Sequence, residues 1–248
     1  MSTANSTRVF AARTLLTLTT CGILVFAAHA QEPQAPEDPA DDKQFGLWLD
    51  QGLSAGLWTD KSLEVEFHER LDEGGSNLYE YFVQAGIAFR PRPWLMVLPS
   101  YRYQRFPGSA TNYENRILLN ATVSRPQGTW RPNFRTLIEG RFPDDRGGSA
   151  RLRLRAGLDY VLPLRSARPP VLVVSNEFFL VPWSSPFAVG GAYTQYRFQF
   201  GVRLPVTASL TVRPYFLLQS VNLVSGWDSN NIFGVSLTCR LTRTPRTK

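Results

Sequence analysis

Lysine, histidine and cysteine are scarce in this chain, and long apolar runs are missing. Only 3 of its 27 basic residues are lysine, and it has 2 histidines and 2 cysteines. The mean hydropathy of -0.19 excludes a bundle of membrane-spanning helices, each of which needs about 20 consecutive apolar residues. A hydrophobic content of 43% with 12% aromatic residues excludes a disordered chain. The 248 residues therefore fit one domain of ordinary size.

The first thirty residues have the three zones of an export signal. Arg8 and Arg13 precede an apolar stretch over 15–28, and Ala28-His29-Ala30 is a small-x-small cleavage pattern. A membrane anchor would need a longer apolar stretch. We therefore predict a cleaved signal peptide at residues 1–30 and export of the chain.

The formal net charge of +7 by itself suggests a protein that binds nucleic acid. The export signal argues against this interpretation. An exported chain leaves the compartment that holds nucleic acid, so no nucleic-acid partner is expected. Residues 31–43 contain three prolines and five acids without a large apolar side chain. We predict a disordered, acidic, proline-rich linker at 31–44. Cleavage would leave one histidine and one cysteine, so neither a disulfide nor a metal or other cofactor is expected.

Apolar and polar residues alternate with a period of two through the rest of the chain. Leu152, Leu154 and Ala156, for example, alternate with Arg151, Arg153 and Arg155. This period predicts β-strands, and no stretch has a comparable helical period. Ten strands are predicted, near 62–71, 77–90, 94–106, 113–124, 129–142, 150–162, 171–181, 192–204, 209–220 and 230–241.

The lengths of the predicted strands and of their connections favour an outer-membrane barrel. Strands of ten to thirteen residues, tilted near 40°, rise roughly 25–33 Å, enough for the apolar band of such a barrel. Short connections such as 91–93 and 125–128 alternate with longer ones such as 107–112 and 222–229. We therefore predict an all-β fold, an antiparallel up-and-down transmembrane β-barrel of about ten to twelve strands at residues 45–241, followed by a tail at 242–248.

Alternation alone does not distinguish a membrane barrel from a soluble one, which would hide its apolar face inside. Aromatic residues near the strand ends favour the membrane alternative, because aromatic girdles mark both interfaces of such barrels. We therefore predict that the exported chain lies in the outer membrane of a Gram-negative bacterium. The girdle candidates are Tyr79, Phe89, Trp94, Tyr103, Tyr113, Trp130, Phe142, Tyr160 and Tyr196.

The stretch from Phe45 to Trp58 is an eleventh strand candidate. An eleventh strand would break the even count of bacterial single-chain barrels. The stretch is therefore expected either to pair with a further strand or to lie at the rim or in the lumen.

The chain contains seven short patterns: Phe45-x-x-Trp48, Glu64-x-Glu66-x-x-x-Arg70, Tyr101-Arg102, Glu114-x-Arg116, Asn176-Glu177, Tyr196-Arg197 and Pro214-Tyr215. Together they resemble the uncharacterised outer-membrane barrels of the family known as domain of unknown function 2490. The resemblance covers about residues 45–241 and implies a signal peptide and an antiparallel barrel, without an activity. The chain departs from outer-membrane barrels that end on an aromatic residue, because its last strand closes on Leu241.

Charged residues share one parity of the predicted strands and would line the lumen of a membrane barrel. Arginine suits this place because its planar guanidinium can serve two carboxylates at once. The predicted lumen residues are Glu64, Glu66, His68, Arg70, Glu80, Arg102, Glu114, Arg116, Arg131, Arg135, Glu139, Arg141, Arg151, Arg153, Arg155, Asp159, Glu177, Arg197, Arg203, Arg213 and Arg240.

Two functions fit this lumen. Arginine–carboxylate pairs can brace a filled, structural lumen, or the excess of arginine can favour anions in a narrow pore. No enzyme is expected, since His68 is the only imidazole left for a hydrolase and no serine neighbours it on its strand. A lipid-modifying hydrolase and a soluble, lipocalin-like periplasmic binder are the alternatives. The expected partners are outer-membrane lipid, the barrel-insertion machinery and small anions.

Overall fold

The described residues form a closed β-barrel of eleven strands. The computed structural model describes residues 45–181, 193–223 and 226–241. The predicted signal peptide, the linker and the tail lie outside these residues and stay predictions. The strands are β1 (Gly46–Trp58), β2 (Lys61–Asp72), β3 (Asn77–Arg92), β4 (Leu95–Arg105), β5 (Tyr113–Ser124), β6 (Trp130–Pro143), β7 (Ser149–Val161), β8 (Val171–Leu180), β9 (Tyr193–Pro205), β10 (Leu210–Leu223) and β11 (Gly226–Leu241).

Each strand pairs with its neighbours in sequence, and β1 closes the circle against β11. Ten pairs are antiparallel, but β1 and β11 run parallel, from Gly46 opposite Ile232 to Ala55 opposite Leu241. The prediction of an antiparallel barrel with about ten to twelve strands is therefore confirmed except at this seam. The parallel seam follows from the odd count, since the first and last strands of an up-and-down barrel with eleven strands point the same way.

The eleventh candidate is a full strand and not a rim or lumen segment. Its backbone pairs with β2 on one side and with β11 on the other. The predicted loop at 222–229 was wrong in extent, because the β10–β11 ladder continues to Leu223 opposite Gly226.

The two ends of the barrel differ. At the end called here the loop end, the chain enters β1 and makes the connections after β2, β4, β6, β8 and β10; a 3-10 turn at Glu73–Gly75 is one of them. At the opposite, turn end, the connections are 59–60, 93–94, 125–129, 162–170 and 206–209, and β11 ends at Leu241. No helix within the described residues is long and apolar enough to cross a membrane.

Alternation assigns each strand an outer and an inner face. Exposed large apolar residues lie on the outer face, for example Ile117, Leu119 and Ile138. Most buried side chains, both apolar and charged, lie on the inner face, where Trp48 packs in one cluster with Tyr215, Leu217 and Ile232. The lumen is therefore filled in part by side chains, as expected of a barrel of this size.

Candidate functional site

Aromatic side chains encircle the outer surface near each end. Ring contacts join Tyr103 to Tyr113 at the loop end, with centroids 6.0 Å apart, and Trp130 to Tyr160 at the turn end, at 4.3 Å. One predicted girdle residue differs: Tyr79 lies in a β-bulge between Leu78 and Glu80, and its hydroxyl accepts a hydrogen bond from Trp48 Nε1 at 3.2 Å. Further girdle side chains are Phe142, Phe178, Tyr193, Tyr196 and Trp227 at the loop end, and Trp58, Phe89 and Trp94 at the turn end.

The inner face brings most of the predicted lumen residues together. Arg131 and Arg240 have the inward parity but are exposed at the turn-end rim, where β6 begins and β11 ends. The residues inside the barrel are Glu64, Glu66, His68, Arg70, Glu80, Arg102, Glu114, Arg116, Arg135, Glu139, Arg141, Arg151, Arg153, Arg155, Asp159, Glu177, Arg197, Arg203 and Arg213.

A continuous ion-pair network joins β6, β7 and β8 on the inner face of the barrel, in its loop-end half. Glu139 is 0% exposed and accepts hydrogen bonds from Arg151 Nε at 2.7 Å and Arg153 Nη1 at 2.9 Å. Arg153 also binds Glu177 through Nε at 3.1 Å and Nη2 at 2.9 Å, and Arg135 pairs with the same carboxylate. One guanidinium thus bridges two carboxylates on β6 and β8, as the planar fork of arginine allows.

Two smaller networks extend this charged layer. Glu114 accepts from Arg116 Nε at 2.5 Å and from Arg141 through two nitrogens at 2.7 and 2.8 Å. Arg70 pairs with Glu80 across β2 and β3. These carboxylates have buried positions with guanidinium partners, which offset the large cost of removing each charge from water.

Two phenylalanines lie among these charges. Phe82 and Phe179 are 1% and 0% exposed, and both point inward from the loop-end halves of their strands. The guanidinium carbon of Arg102 is 3.9 Å from the Phe82 ring centroid, and that of Arg153 is 4.5 Å from the Phe179 centroid. Cation–π contacts therefore join the aromatic and charged parts of the layer. We name the loop-end layer as the networks of Glu80, Glu114, Glu139 and Glu177 with their arginines, together with Phe82 and Phe179.

His68 lies between two carboxylates. Its Nδ1 is 2.6 Å from Asp50 Oδ1, its Nε2 is 3.2 Å from Glu66 Oε2, and its ring stacks on Phe82 at 4.2 Å between centroids. Tyr215 donates a hydrogen bond to the other oxygen of Asp50 at 2.7 Å. Asp50 was missed by the sequence analysis because β1 had no assigned partner. The alternation of Trp48 and Asp50 on one parity is the signal that could have found it.

Two glycines make room for Tyr215. The register places Gly201 of β9 and Gly234 of β11 on either side of it. A Cβ at Gly234 would lie 2.1 Å from the Tyr215 ring, and one at Gly201 would lie 2.7 Å from its Cβ. The absence of side chains at both positions lets the phenol lie along the wall toward Asp50.

Replacing Tyr215 with phenylalanine is expected to reduce the free energy of unfolding by about 1.5–2 kcal/mol, because a carboxylate loses a hydrogen-bond donor. Guanidinium unfolding of the barrel refolded in phospholipid vesicles measures the change. The exposed girdle change Tyr113→Phe is the control, with an expected effect within about 0.5 kcal/mol. Equal effects of the two substitutions would contradict the role of the Tyr215–Asp50 bond.

The middle and turn-end part of the lumen is hollow. A cavity of about 400 Å³ reaches from Trp48 to Thr238, and a second, of about 220 Å³, shares Arg155, Arg203 and Arg213 with it. Among the described residues, eight arginines and four carboxylates line the larger cavity. No cluster of metal-ligating residues occurs in the described part of the chain.

A closed barrel with an apolar outer belt, two aromatic girdles and a charged lumen is the architecture of outer-membrane β-barrel proteins. Within this class, the chain belongs to the family described as "Protein of unknown function (DUF2490)", which matches residues 45–230. The resemblance predicted from the sequence patterns is thereby confirmed.

Two solved structures are similar to the chain at low identity. The NanC porin structure in a rhombohedral crystal form is 11% identical, with a TM-score of 0.47 over 75% of this chain and 89% of that one. The siderophore receptor PirA from Pseudomonas aeruginosa is 14% identical, with a TM-score of 0.30 over 71% of this chain and 35% of that one. A search of the curated proteins found no match.

Proposed function

We propose that the protein is a non-enzymatic outer-membrane barrel whose lumen forms a narrow, anion-preferring pore with its constriction at the loop-end layer. The observation that carries the proposal is the excess of eight arginines over four carboxylates around the larger cavity. A ring of guanidinium groups lowers the energy of an anion in a pore and raises that of a cation.

The outer surface supports insertion in the outer membrane. Its exposed apolar residues would be a liability on a soluble, lipocalin-like barrel, which buries its apolar face. In lipid the same residues meet acyl chains, and the girdles meet the headgroup region. Outer-membrane lipid and the barrel-insertion machinery are therefore the proposed partners, and the predicted export signal agrees with them.

A structural barrel without conduction is the second candidate, and the loop-end layer is the observation that favours it. Glu114 is 1% exposed and Glu139 is 0% exposed, so little open space remains beside these groups. The two candidates share the fold and differ only in whether this layer lets ions pass.

The surroundings of His68 support a non-enzymatic function. Both ring nitrogens face carboxylates, whereas a serine hydrolase needs one imidazole nitrogen at a nucleophilic hydroxyl. Deleting the protein is therefore expected to leave the lipid A and phospholipid profiles of the cell unchanged. A new lipid species in the wild-type profile that depends on His68 would favour the hydrolase alternative.

Planar-bilayer recording of the purified, refolded protein tests the pore. We expect a small conductance whose reversal potential in a KCl gradient has the sign of chloride permeation. A reversal potential with the sign of potassium permeation would contradict the anion preference. An absence of conductance would contradict the pore and favour the structural barrel.

Replacing Glu66 with glutamine sharpens the same measurement. The Glu66 side chain is 41% exposed and lines the larger cavity, so its charge acts on an ion there. Removing this charge is expected to move the reversal potential further toward chloride. The control Asp60→Asn changes an exposed turn residue and is expected to leave it unchanged. Equal reversal potentials for wild type and Glu66→Gln would contradict conduction through this cavity.

A further inference from the structure

Three arginines come together from the middle to the turn end of the lumen. Arg155, Arg203 and Arg213, on β7, β9 and β10, line both cavities. Asp159 is the one carboxylate that lines the 220 Å³ cavity within the described residues, and it already pairs with Arg203 at 2.9 Å. This cavity therefore holds two more positive than negative side chains.

Arg155 has unused hydrogen-bonding capacity. Its Nε is buried and has no hydrogen-bond partner. The register places Arg135 on one side of it and Glu177 on the other. Both oxygens of Glu177 are already engaged by Arg153, and one of them also by Arg135. Arg155 thus faces a carboxylate that other guanidinium groups occupy.

Arg213 adds a third guanidinium group from β10, the strand next to that of Arg203. Its guanidinium carbon lies over the Tyr215 ring, 5.2 Å from the ring centroid. This cation–π contact does not use the N–H groups of Arg213 as hydrogen-bond donors. Neutral donors lie in the same wall, namely the hydroxyl of Ser175 and the amide of Gln199. Guanidinium groups with neighbouring hydroxyl and amide donors are the usual partners of tetrahedral oxyanions.

We infer that Arg155, Arg203 and Arg213 form a binding site for a compact, multiply charged oxyanion such as a phosphate or sulfate group. An anion there would neutralise the excess charge, which lowers the cost of gathering like charges in a cavity. The sheet separates the site from lipid, so the ligand is a free solute that enters through the lumen. The site specifies the anion preference proposed above, but it does not require conduction.

Thermal unfolding of the refolded full chain in detergent micelles tests the site. Inorganic phosphate or sulfate replaces chloride at constant ionic strength, and the rise in unfolding temperature with anion concentration gives the dissociation constant. Phosphate and sulfate are expected to stabilise wild type in a saturable manner. Arg155→Gln and Arg213→Gln are each expected to weaken phosphate binding at least tenfold. Arg125→Gln, which removes the same charge from an exposed turn at the same end, is expected to bind phosphate as wild type does.

The outcomes separate this site from the pore. Saturable phosphate binding that depends on Arg155 or Arg213, in a barrel without conductance, would support the site and overturn the pore. An anion-selective conductance with no stabilisation by phosphate or sulfate would overturn the site and support the pore. An equal loss of binding in Arg125→Gln would also overturn the site, because net charge alone would then explain the effect. If Arg155→Gln fails to refold, Arg213→Gln and Ser175→Ala decide the matter by the same criterion.

Discussion

Glu139→Leu is expected to lower the free energy of unfolding by about 3–5 kcal/mol, because it leaves the Arg151 and Arg153 guanidinium groups in a buried place without one of their carboxylates. Arg153 keeps Glu177, so Arg151 bears most of the loss. Unfolding by guanidinium chloride in phospholipid vesicles measures the change. On a gel, the fast migration of the unheated, folded barrel is also expected to be lost at a lower temperature than in wild type.

A second substitution distinguishes charge from packing. In Glu139→Leu combined with Arg151→Leu both partners become apolar, and stability is expected to return in part, because removing a whole buried pair costs far less than removing one member. Asp60→Leu, in an exposed turn, is the control and should change stability within about 0.5 kcal/mol. If the double variant is as unstable as Glu139→Leu alone, unpaired charge is not the cause.

Leu119→Arg is expected to cost about 2–4 kcal/mol in a lipid bilayer, since this outward side chain lies midway along β5 and would bring a charge to the centre of the apolar belt. In a soluble barrel the same change would place arginine in water at little cost. Unfolding in vesicles, together with the fraction of the expressed protein that reaches the membrane, measures the effect.

The matched control is Val206→Arg in the turn after β9. Val206 is 56% exposed and Leu119 is 47% exposed, so the two positions differ mainly in depth along the barrel. The cost of an arginine falls to about 0–1 kcal/mol near the interface. Equal and small costs at both positions would contradict a lipid-facing outer surface and favour the soluble alternative.

The strands could be predicted from the sequence wherever the two faces differ strongly in polarity. β5 spans 113–124 as predicted, because Ile117, Leu119 and Ala121 alternate with Arg116 and Asn120. In β1 the two faces differ less in polarity, because an inward position is a glycine, Gly52, and the polar Gln51 has the outward parity. The weak contrast explains why this strand lacked a partner in the prediction, and its pairing depends on the closure of the whole barrel.

The inward parity of the charged residues could also be predicted, but not their partners. Arg153 reaches Glu139 on one neighbouring strand and Glu177 on the other, and these contacts depend on register, which alternation alone does not define. Phe82 and Phe179 were missed as lumen residues because only polar and charged residues were expected on the inward parity. The hollow part of the lumen likewise follows from side-chain lengths in three dimensions.

The parallel seam between β1 and β11 has a consequence for re-engineering the connectivity of the chain. In a barrel with an even strand count the two termini meet at one rim, and a short linker can join them. Here Phe45 and Leu241 lie at opposite ends of the wall, so a circular permutant would need a linker of about ten extended residues or more to run the height of the barrel. Such a linker would have to cross either lipid or the charged lumen. We therefore expect circular permutants of this barrel to fail to fold, unlike those of even-stranded barrels.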